Sequence, residues 1–210
     1  MKKVLVADDH AVVREGIKQI IAETADMVVA GEAVNGWEVL EKARGGDYDV
    51  VVLDISMPGK NGMEILKELK RERPGVPVLI LSMHPEEQYA LRVLRAGASG
   101  YVTKDSAPDE LIAALDKVLR GNTYITPTLA ERLVLDIGVG PEESLHEKLS
   151  DRELQVLCLL AEGKTINQIG QELCLSAKTI STYRSRIMQK MAMKTNAQLI
   201  RYAIKHGLVD

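Results

Sequence analysis

The sequence predicts an α/β unit with a doubly wound, five-stranded parallel sheet, followed by a small all-α unit. Three observations carry this prediction. Short apolar runs alternate with stretches of helical spacing over residues 1–120. Residues 148–210 contain closely spaced helix-start motifs instead. The formal net charge is −4 over residues 1–124, −4 over residues 125–147 and +5 over residues 148–210. The chain is therefore expected to form two units with different partners, the basic one suited to a polyanion.

Five runs have the character of buried parallel strands, because each is mostly β-branched or aliphatic and is followed by polar residues or glycine. They are Val4–Ala7, Met27–Ala30, Val50–Leu53, Val78–Leu81 and Tyr101–Thr103. The segments between and after them carry apolar residues at three- and four-residue spacing, such as Val13, Ile17 and Ile21 in the first. Strict alternation implies right-handed crossovers and a doubly wound sheet, in which ligands bind at the carboxyl ends of the strands.

Composition excludes several classes of protein. The sequence is 46% apolar and 27% charged, which indicates a packed rather than a disordered chain. Two cysteines, Cys158 and Cys174, cannot form a multi-thiolate zinc site, and both are expected to be small buried side chains in a reducing compartment. The apolar run Val4–Ala7 is too short for a signal peptide, and about 18 consecutive apolar residues occur nowhere. We therefore expect a cytoplasmic protein with no membrane partner.

Polar residues follow the predicted strands at the edge where ligands bind. They are Asp8 and Asp9, Asp54, Ser82 and Lys104. Three carboxylates at one edge repel one another, so a hard divalent cation or Lys104 must neutralise them. Oxygen ligands favour Mg²⁺ over zinc, and a carboxylate beside Mg²⁺ can attack a phosphoryl group to become an aspartyl phosphate. Alternatively, Asp9 or His10 simply begins the following helix as its N-cap.

With these residues, positions 1–120 resemble the receiver domain of two-component response regulators, which has a flavodoxin-like fold. Asp54 stands in the run Asp54-Ile55-Ser56-Met57-Pro58-Gly59-Lys60-Asn61-Gly62, which resembles the phosphoacceptor motif. The resemblance implies that Asp54 is the phosphoacceptor and that Mg²⁺ is bound by Asp9, Asp54 and the main-chain carbonyl of Ser56, with Asp8 acting through water. It also implies switch or phosphoryl-binding roles for Ser82, Tyr101 and Lys104. Ser56 and His84 would tune hydrolysis of the phosphoryl group.

The carboxyl-terminal part predicts a helix-turn-helix. Ser150 and Glu153 form a capping box before an apolar helix that ends at Gly163. Thr165 begins a second helix in the same way, with Gln168 three residues further on. Residues 174–176 make a short turn into a third helix, which runs from Ser176 or Lys178 to about Lys190. Two short helices joined by a tight turn are typical of this motif.

The third helix has an apolar and a polar face. At 100° per residue, Ile187 and Met191 lie within about 20° of the direction of Ile180, so this face is predicted to pack inward. The opposite face carries hydroxyl, amide and cationic side chains that can enter a major groove. The predicted DNA-contacting residues are Lys178, Thr179, Ser181, Thr182, Ser185, Arg186 and Gln189. Alternatively, this is an ordinary solvated helix face.

Residues 148–210 resemble the LuxR-type helix-turn-helix domain, including the run Asn196-Ala197-Gln198-Leu199-Ile200-Arg201-Tyr202-Ala203. The whole chain resembles NarL/FixJ-type transcriptional response regulators. We expect a receiver domain over 1–120, a linker over 121–147 that is flexible around Gly138–Pro141, and the DNA-binding domain over 148–210. Binding to DNA as a homodimer is also expected, with Leu199, Tyr202 and Ala203 forming the contact between the two tails.

The combined prediction is a phosphorylation-activated regulator that receives a phosphoryl group from a sensor histidine kinase and binds double-stranded promoter DNA. RNA polymerase is a further candidate partner, and no enzymatic turnover is expected. A magnesium phosphatase of the haloacid-dehalogenase type is disfavoured, because Ser56 stands where that chemistry needs a second aspartate. A small-molecule sensor is disfavoured because the sequence has no phenylalanine and one tryptophan, Trp37, with which to line a ligand pocket.

Overall fold

The structure is a computed structural model that describes residues 1–57, 62–83, 86–106, 108–131 and 145–209, with side chains 86–88 left out. His84 and the Gly138–Pro141 segment of the predicted linker lie outside the described residues. The chain divides into two compact units, Met1–Leu133 and Val134–Asp210, referred to below as the first and second units. In the part of the chain that the structure describes, no helix is long and apolar enough to cross a membrane.

The first unit alternates strands and helices, as predicted. Its elements are β1 (Lys2–Ala7), α1 (Ala11–Ala22), β2 (Met27–Ala33), α2 (Gly36–Gly45), β3 (Val50–Asp54), α3 (Gly62–Glu72), β4 (Val78–Ser82), α4 (Glu86–Arg95), β5 (Gly100–Thr103) and α5 (Pro108–Leu119). The strands form one parallel sheet in the order β2-β1-β3-β4-β5, which confirms the predicted fold class. The order reverses between β1 and β3, so the ligand-binding crevice of such a sheet lies at the carboxyl ends of these two strands.

Helices on both faces explain why the central strands are apolar throughout. All five residues of β3 and all five of β4 are buried. One core cluster joins Val52 and Leu79 of the sheet to Ile17 of α1 and Leu115 of α5, each at most 3% exposed. A strand covered on both sides reads as a continuous apolar run, which is why the sequence signal was strong here.

The first unit continues beyond α5 into the stretch predicted as a linker. Tyr124 forms a parallel bridge with Gly100, and its hydroxyl donates to Glu110 Oε1 at 3.1 Å. A Cβ on Gly100 would lie 2.9 Å from Cβ of Tyr124, so this close approach depends on glycine. Leu129, in the helical residues 127–131, is 4% exposed. Residues 124–131 are thus part of the packing of the first unit.

The described residues of the second unit, 145–209, contain helices and no strand. A 3₁₀ turn at Leu145–Lys148 precedes α6 (Asp151–Ala161), α7 (Ile166–Glu172), α8 (Ala177–Lys190) and α9 (Asn196–Lys205). The predicted capping boxes at Ser150 and Thr165 are both formed, and a third, at Thr195, was not predicted. Ile180, Ile187 and Met191 are at most 1% exposed, which confirms the predicted inward face of α8.

The turn between α7 and α8 has a specific backbone geometry. Cys174 adopts a left-handed conformation with φ of 54° just after α7, and a Cβ on Gly170 would come within 2.7 Å of the Leu175 carbonyl oxygen. The prediction that both cysteines are buried is wrong for Cys174, which is exposed, and right for Cys158. Apolar neighbours in the sequence do not bury a residue at which the chain leaves a helix and turns.

Candidate functional site

The strand-end residues of the first unit meet as predicted. Asp8 and Asp54 are 1% and 0% exposed, and the Lys104 side chain is 5% exposed. Lys104 Nζ lies 2.7 Å from Asp8 Oδ2 and 2.7 Å from Asp54 Oδ2. One buried ammonium therefore bridges two buried carboxylates, one directly after β1 and the other at the end of β3.

Backbone groups fix the orientation of both carboxylates. Asp54 Oδ1 accepts from the Ser56 backbone N–H at 2.8 Å, and Asp8 Oδ1 accepts from the His10 backbone N–H at 2.8 Å. Arg14 on α1 donates from Nη1 to the Asp8 main-chain carbonyl at 2.7 Å and from Nε to Glu32 at 3.1 Å. Sequence reasoning missed Arg14, because nothing in the pattern of α1 shows that its side chain reaches back to the turn.

Burial and the neighbouring charges set the protonation of the site. Burial raises the pKa of Asp54 above its ordinary value, and nearby Asp8 adds to this, although Lys104 and the Ser56 N–H act in the opposite direction. Burial also acts against charge on Lys104, but the Asp54 and Asp8 carboxylates outweigh it and raise the pKa of Lys104. Lys104 is therefore cationic at neutral pH, whereas ionisation of Asp54 is less favourable in this buried position than in water.

Four side chains are close enough to share one cation. Asp8, Asp9, His10 and Asp54 each offer a ligand atom, and these atoms lie within 4.8 Å of one another. The Asp9 side chain is 30% exposed, which makes it more open than Asp8 and Asp54 but less open than His10, whose side chain is 64% exposed. Ser56 Oγ is buried without a hydrogen-bond partner among the described residues. Carboxylate oxygens beside an unsatisfied hydroxyl oxygen fit a hard divalent cation such as Mg²⁺.

Of the predicted switch residues, Ser82 is next to this cluster, because its carbonyl accepts from the Lys104 backbone N–H at 2.8 Å. Ser82 ends β4 and is 0% exposed, and Tyr101 on β5 is 1% exposed. Our hypothesis for the switch is that phosphorylation lets Tyr101 turn inward; in this structure the tyrosine is already inside. His84, predicted to tune hydrolysis, lies outside the described residues.

The polar face of α8 is the second candidate site. Lys178, Thr182, Ser185, Arg186 and Gln189 are exposed, while Thr179 and Ser181 are half-buried. The hydroxyls of Thr182 and Ser185 donate to the carbonyls of Lys178 and Ser181, each at 3.0 Å. Their oxygens are therefore available outward mainly as acceptors. Neither Lys178 nor Arg186 forms an ion pair with a carboxylate of the described residues, so both charges are free to meet phosphate.

The predicted dimer contacts need correction. Leu199 and Ala203 on α9 are 1% and 0% exposed, because α9 packs its apolar face against α6 within the same unit. They are therefore unavailable to a second copy. Tyr202 is half-buried and stacks on His206 with ring centroids 4.1 Å apart, and its hydroxyl lies 3.0 Å from His146 Nδ1. Helical spacing identified the apolar face of α9 but not what covers it.

Comparisons of the sequence with known families match both units. The response regulator receiver domain matches residues 4–116, and the bacterial regulatory proteins of the luxR family match residues 147–203. The chain is 37% identical to the response regulator GacA of Pseudomonas aeruginosa over 211 residues, covering 100% of this chain and 99% of the relative. It is also 37% identical to the response regulator UvrY of Escherichia coli over 212 residues, covering 100% and 97%.

Solved structures agree with the sequence matches. RcsB of Salmonella enterica serovar Typhimurium, bound to the rprA promoter in the presence of the phosphomimetic BeF3⁻, is 29% identical, with a TM-score of 0.66 and coverage of 96% of this chain and 97% of that one. The response regulator ChrA of a heme-sensing two-component system is 30% identical, with a TM-score of 0.53 over 99% and 98% of the two chains. The chain therefore belongs to the NarL/FixJ-type response regulators, two-component transcription regulators in which a receiver domain is joined to a LuxR-family DNA-binding domain.

Proposed function

We propose that Asp54 accepts a phosphoryl group from a sensor histidine kinase and that this event controls how the second unit binds promoter DNA. The observation that carries the proposal is the position of Asp54, fully buried at the end of β3 with Lys104 Nζ 2.7 Å away. Phosphorylation adds negative charge at this buried position, and the Lys104 ammonium is already in place to offset it.

The transfer is a displacement at phosphorus. An Asp54 carboxylate oxygen bonds to phosphorus as the P–N bond of the kinase phosphohistidine breaks, and the bonding electron pair returns to the imidazole. Lys104 would pair with the phosphoryl oxygens as the acyl phosphate forms. Mg²⁺, when bound, would offset the charge of the carboxylates and of the phosphoryl oxygens. Asp8, Asp9, Asp54 and the Ser56 carbonyl are the groups that would hold it.

The switch would couple this charge to a change in conformation. Ser82 is the hydroxyl that would donate to a phosphoryl oxygen, and Tyr101 would fill the space beside it. Because Tyr101 is already 1% exposed, phosphorylation would stabilise an inward conformation that exists beforehand rather than create a new one. Ser56, and His84 by resemblance, would set the lifetime of the phosphoryl group.

The second unit would bind DNA through α8 in the major groove. Its net charge of +5 over residues 148–210 and the exposed hydroxyl, amide and cationic side chains support this. RcsB, solved on a promoter, covers nearly the whole chain. We further propose that the protein binds DNA as a homodimer and that the two copies contact each other through the exposed part of α9. Ile204 there is 54% exposed, and Tyr202 is the predicted contact residue that is not fully buried. The proposal includes RNA polymerase as a further partner and the cytoplasm as the compartment in which the chain works.

Phosphorylation of the full chain by acetyl phosphate with Mg²⁺ tests the proposal. The wild type should form an adduct on Asp54 that hydroxylamine releases, as expected of an acyl phosphate. Asp54→Asn should remove it, whereas Asp105→Asn, at an exposed residue next to Lys104, should not. Labelling of Asp54→Asn at the native rate would overturn the assignment. Turnover of a phosphate ester without a stable adduct would support the phosphatase alternative instead.

A further inference from the structure

We propose that residues 124–131, called the coupling segment below, carry the phosphorylation signal from β5 to the chain that leads into the second unit, and that Tyr124 joins this segment to β5. The inference rests on the proposed function, because it takes phosphorylation of Asp54 as the signal. It adds the route by which the signal leaves the first unit, and it gives a role to residues that the sequence predicts to be part of a linker.

The coupling segment begins at the outer edge of the sheet. The Tyr124 backbone N–H donates to the Ser99 carbonyl at 2.8 Å, and Tyr124 forms a parallel bridge with Gly100. A Cβ on Gly100 would lie 2.9 Å from the Tyr124 Cβ and 3.1 Å from the Tyr124 carbonyl oxygen, so the two backbones are in close contact. A displacement of β5 at this point must therefore move Tyr124 or break the bridge.

The opposite end of β5 is connected to the phosphoacceptor. Lys104 directly follows β5, and its Nζ lies 2.7 Å from Asp54 Oδ2. A phosphoryl group on Asp54 would change the partners of this ammonium and so act on the carboxyl end of the strand. β5 has only four residues, Gly100–Thr103, and is about 13 Å long at about 3.3 Å per residue. A strand this short, packed in the sheet, is expected to move as one body.

Side chains hold the coupling segment in place. The Tyr124 hydroxyl donates to Glu110 Oε1 on α5 at 3.1 Å. Thr126 Oγ1 accepts from the Leu129 backbone N–H at 3.2 Å and so caps the helical residues 127–131, and Leu129 is 4% exposed. A movement of Tyr124 is therefore passed to an ordered segment that ends close to the start of the second unit.

Protection of the edge of the sheet does not account for this arrangement. Gly100 is the one residue of β5 that forms a bridge on the outer side of the strand, within the part of the chain that the structure describes. A cover for the whole edge would pair along the strand. The single contact instead lies one residue before Tyr101, the predicted switch residue, where it is suited to follow a movement of β5.

Hydrogen exchange of the full-length protein, resolved by residue and measured with and without BeF3⁻ and Mg²⁺, tests the first step. The Tyr124 amide bonds to the Ser99 carbonyl, so BeF3⁻ should change its exchange rate by about fivefold or more. The Thr24 amide, which donates to the Ile21 carbonyl at 3.0 Å after α1, is the matched control and should change by less than about twofold.

Substitution of Tyr124 tests the second step. Tyr124→Ala should keep labelling by acetyl phosphate and the DNA affinity of the unphosphorylated protein, while phosphorylation should change its DNA affinity by less than about twofold. Tyr124→Phe keeps the ring, loses the hydrogen bond to Glu110, and should lower the response by about twofold or more. Ile21→Val, which removes a buried methyl group from α1 and weakens the first unit elsewhere, should keep the full response.

The outcomes separate this inference from the proposed function. If the wild type responds to phosphorylation but the Tyr124 amide does not change, or if Tyr124→Phe responds fully, the coupling segment is not the route. A raised DNA affinity of unphosphorylated Tyr124→Ala would also overturn the inference, because the segment would then restrain the second unit rather than carry a signal to it. If phosphorylation leaves DNA binding of the wild type unchanged, the proposed function is wrong and the inference with it.

Discussion

Each unit contains a buried carboxylate that contacts a lysine, and the two behave in opposite ways. Asp54 in the first unit is 0% exposed and lies 2.7 Å from Lys104 Nζ. Glu153 in the second unit is 3% exposed and lies 2.6 Å from Lys190 Nζ. Burial raises the pKa of Asp54. Burial acts in the same direction on Glu153, but Lys190 and Ser150 outweigh it and lower its pKa.

The difference comes from what else each lysine and carboxylate contacts. Lys104 divides its charge between Asp54 and Asp8, and its side chain is only 5% exposed. Lys190 forms its ion pair with Glu153, and its side chain is 41% exposed. Glu153 also accepts from the Ser150 N–H at 2.7 Å and lies in the first turn of α6, where the helix dipole favours negative charge. Glu153 is a satisfied structural group, whereas Asp54 belongs to a cluster with more acid than base.

This contrast implies that chemistry and stability are coupled in the first unit and separate in the second. The functional groups of the first unit are part of its interior, so a substitution at one of them also changes the free energy of unfolding of that unit. On α8, Ile180 and Ile187 provide the packing while the proposed DNA contacts are exposed. The following predictions test this difference, with hydrogen exchange of β3 reporting the first unit and that of α6 the second.

Replacing the lysine of each pair should give the largest losses of stability, and the loss should differ most between the two units. Lys104→Met leaves two buried carboxylates without their cation and should cost about 3–5 kcal/mol in the first unit. Lys190→Met should cost about 1 kcal/mol or less in the second unit, because that lysine is partly solvated. Equal losses at neutral pH in the two variants would refute the contrast. Added Mg²⁺ should restore part of the loss in Lys104→Met only.

Gly62 at the start of α3 should be the next most sensitive position. A Cβ there would lie 2.3 Å from the Ile55 Cα, inside the turn that follows Asp54. Gly62→Ala should therefore displace this turn and destabilise the first unit by about 2–3 kcal/mol. Gly16→Ala in α1 meets nothing within 4 Å and should instead stabilise the unit by about 0.5–1 kcal/mol. Chemical denaturation followed by Trp37 fluorescence measures both, and a harmless Gly62→Ala would contradict the close contact.

Two substitutions that remove charge but keep shape should act in opposite directions. The pKa of Glu153 is lowered by folding, so its charge stabilises the fold above the ordinary value of 4.5 and that contribution is lost as pH falls. The pKa of Asp54 is raised, so its charge costs stability above the ordinary value of 3.8. At neutral pH, Glu153→Gln should destabilise its unit and Asp54→Asn should stabilise its own. The Asp54 difference should disappear as pH falls toward 3.8, whereas the Glu153 difference should begin to shrink only below 4.5 and be lost as pH falls through its lowered pKa. Hydrogen exchange at several pH values would show both. Changes of the same sign would contradict the pKa directions.

Sequence reasoning succeeded where a local pattern determines a local result. The buried strands and the caps at Ser150 and Thr165 follow from a few adjacent residues each. The acidic cluster was also predictable, since the ends of neighbouring parallel strands meet at one edge. The bridge from Arg14 to the Asp8 carbonyl was not, because it depends on a long side chain folding back. The burial of Leu199 was assigned to a partner rather than to α6, since periodicity shows a face and not its cover.

The proposed DNA face should give the smallest effect on stability. Lys178→Ala and Thr182→Ala alter exposed residues and should change unfolding of the second unit by less than about 0.5 kcal/mol. Lys178→Ala should weaken binding to all DNA sequences and reduce the salt dependence by about one unit of slope, if the lysine contacts a phosphate. Thr182→Ala should instead relax sequence preference, by about 1–3 kcal/mol where a base contact is lost.

Titrations of promoter and unrelated DNA at several salt concentrations distinguish these two classes of contact. Lys205→Ala, which removes an exposed cation from α9 rather than α8, is the matched control and should change neither slope nor preference. An equal loss of slope in Lys178→Ala and Lys205→Ala would mean that only the net charge of the unit matters. If the loss of DNA binding in these variants instead paralleled a loss of stability, function and stability would be coupled in the second unit as they are in the first. The difference between the two buried carboxylates would then have no consequence for function.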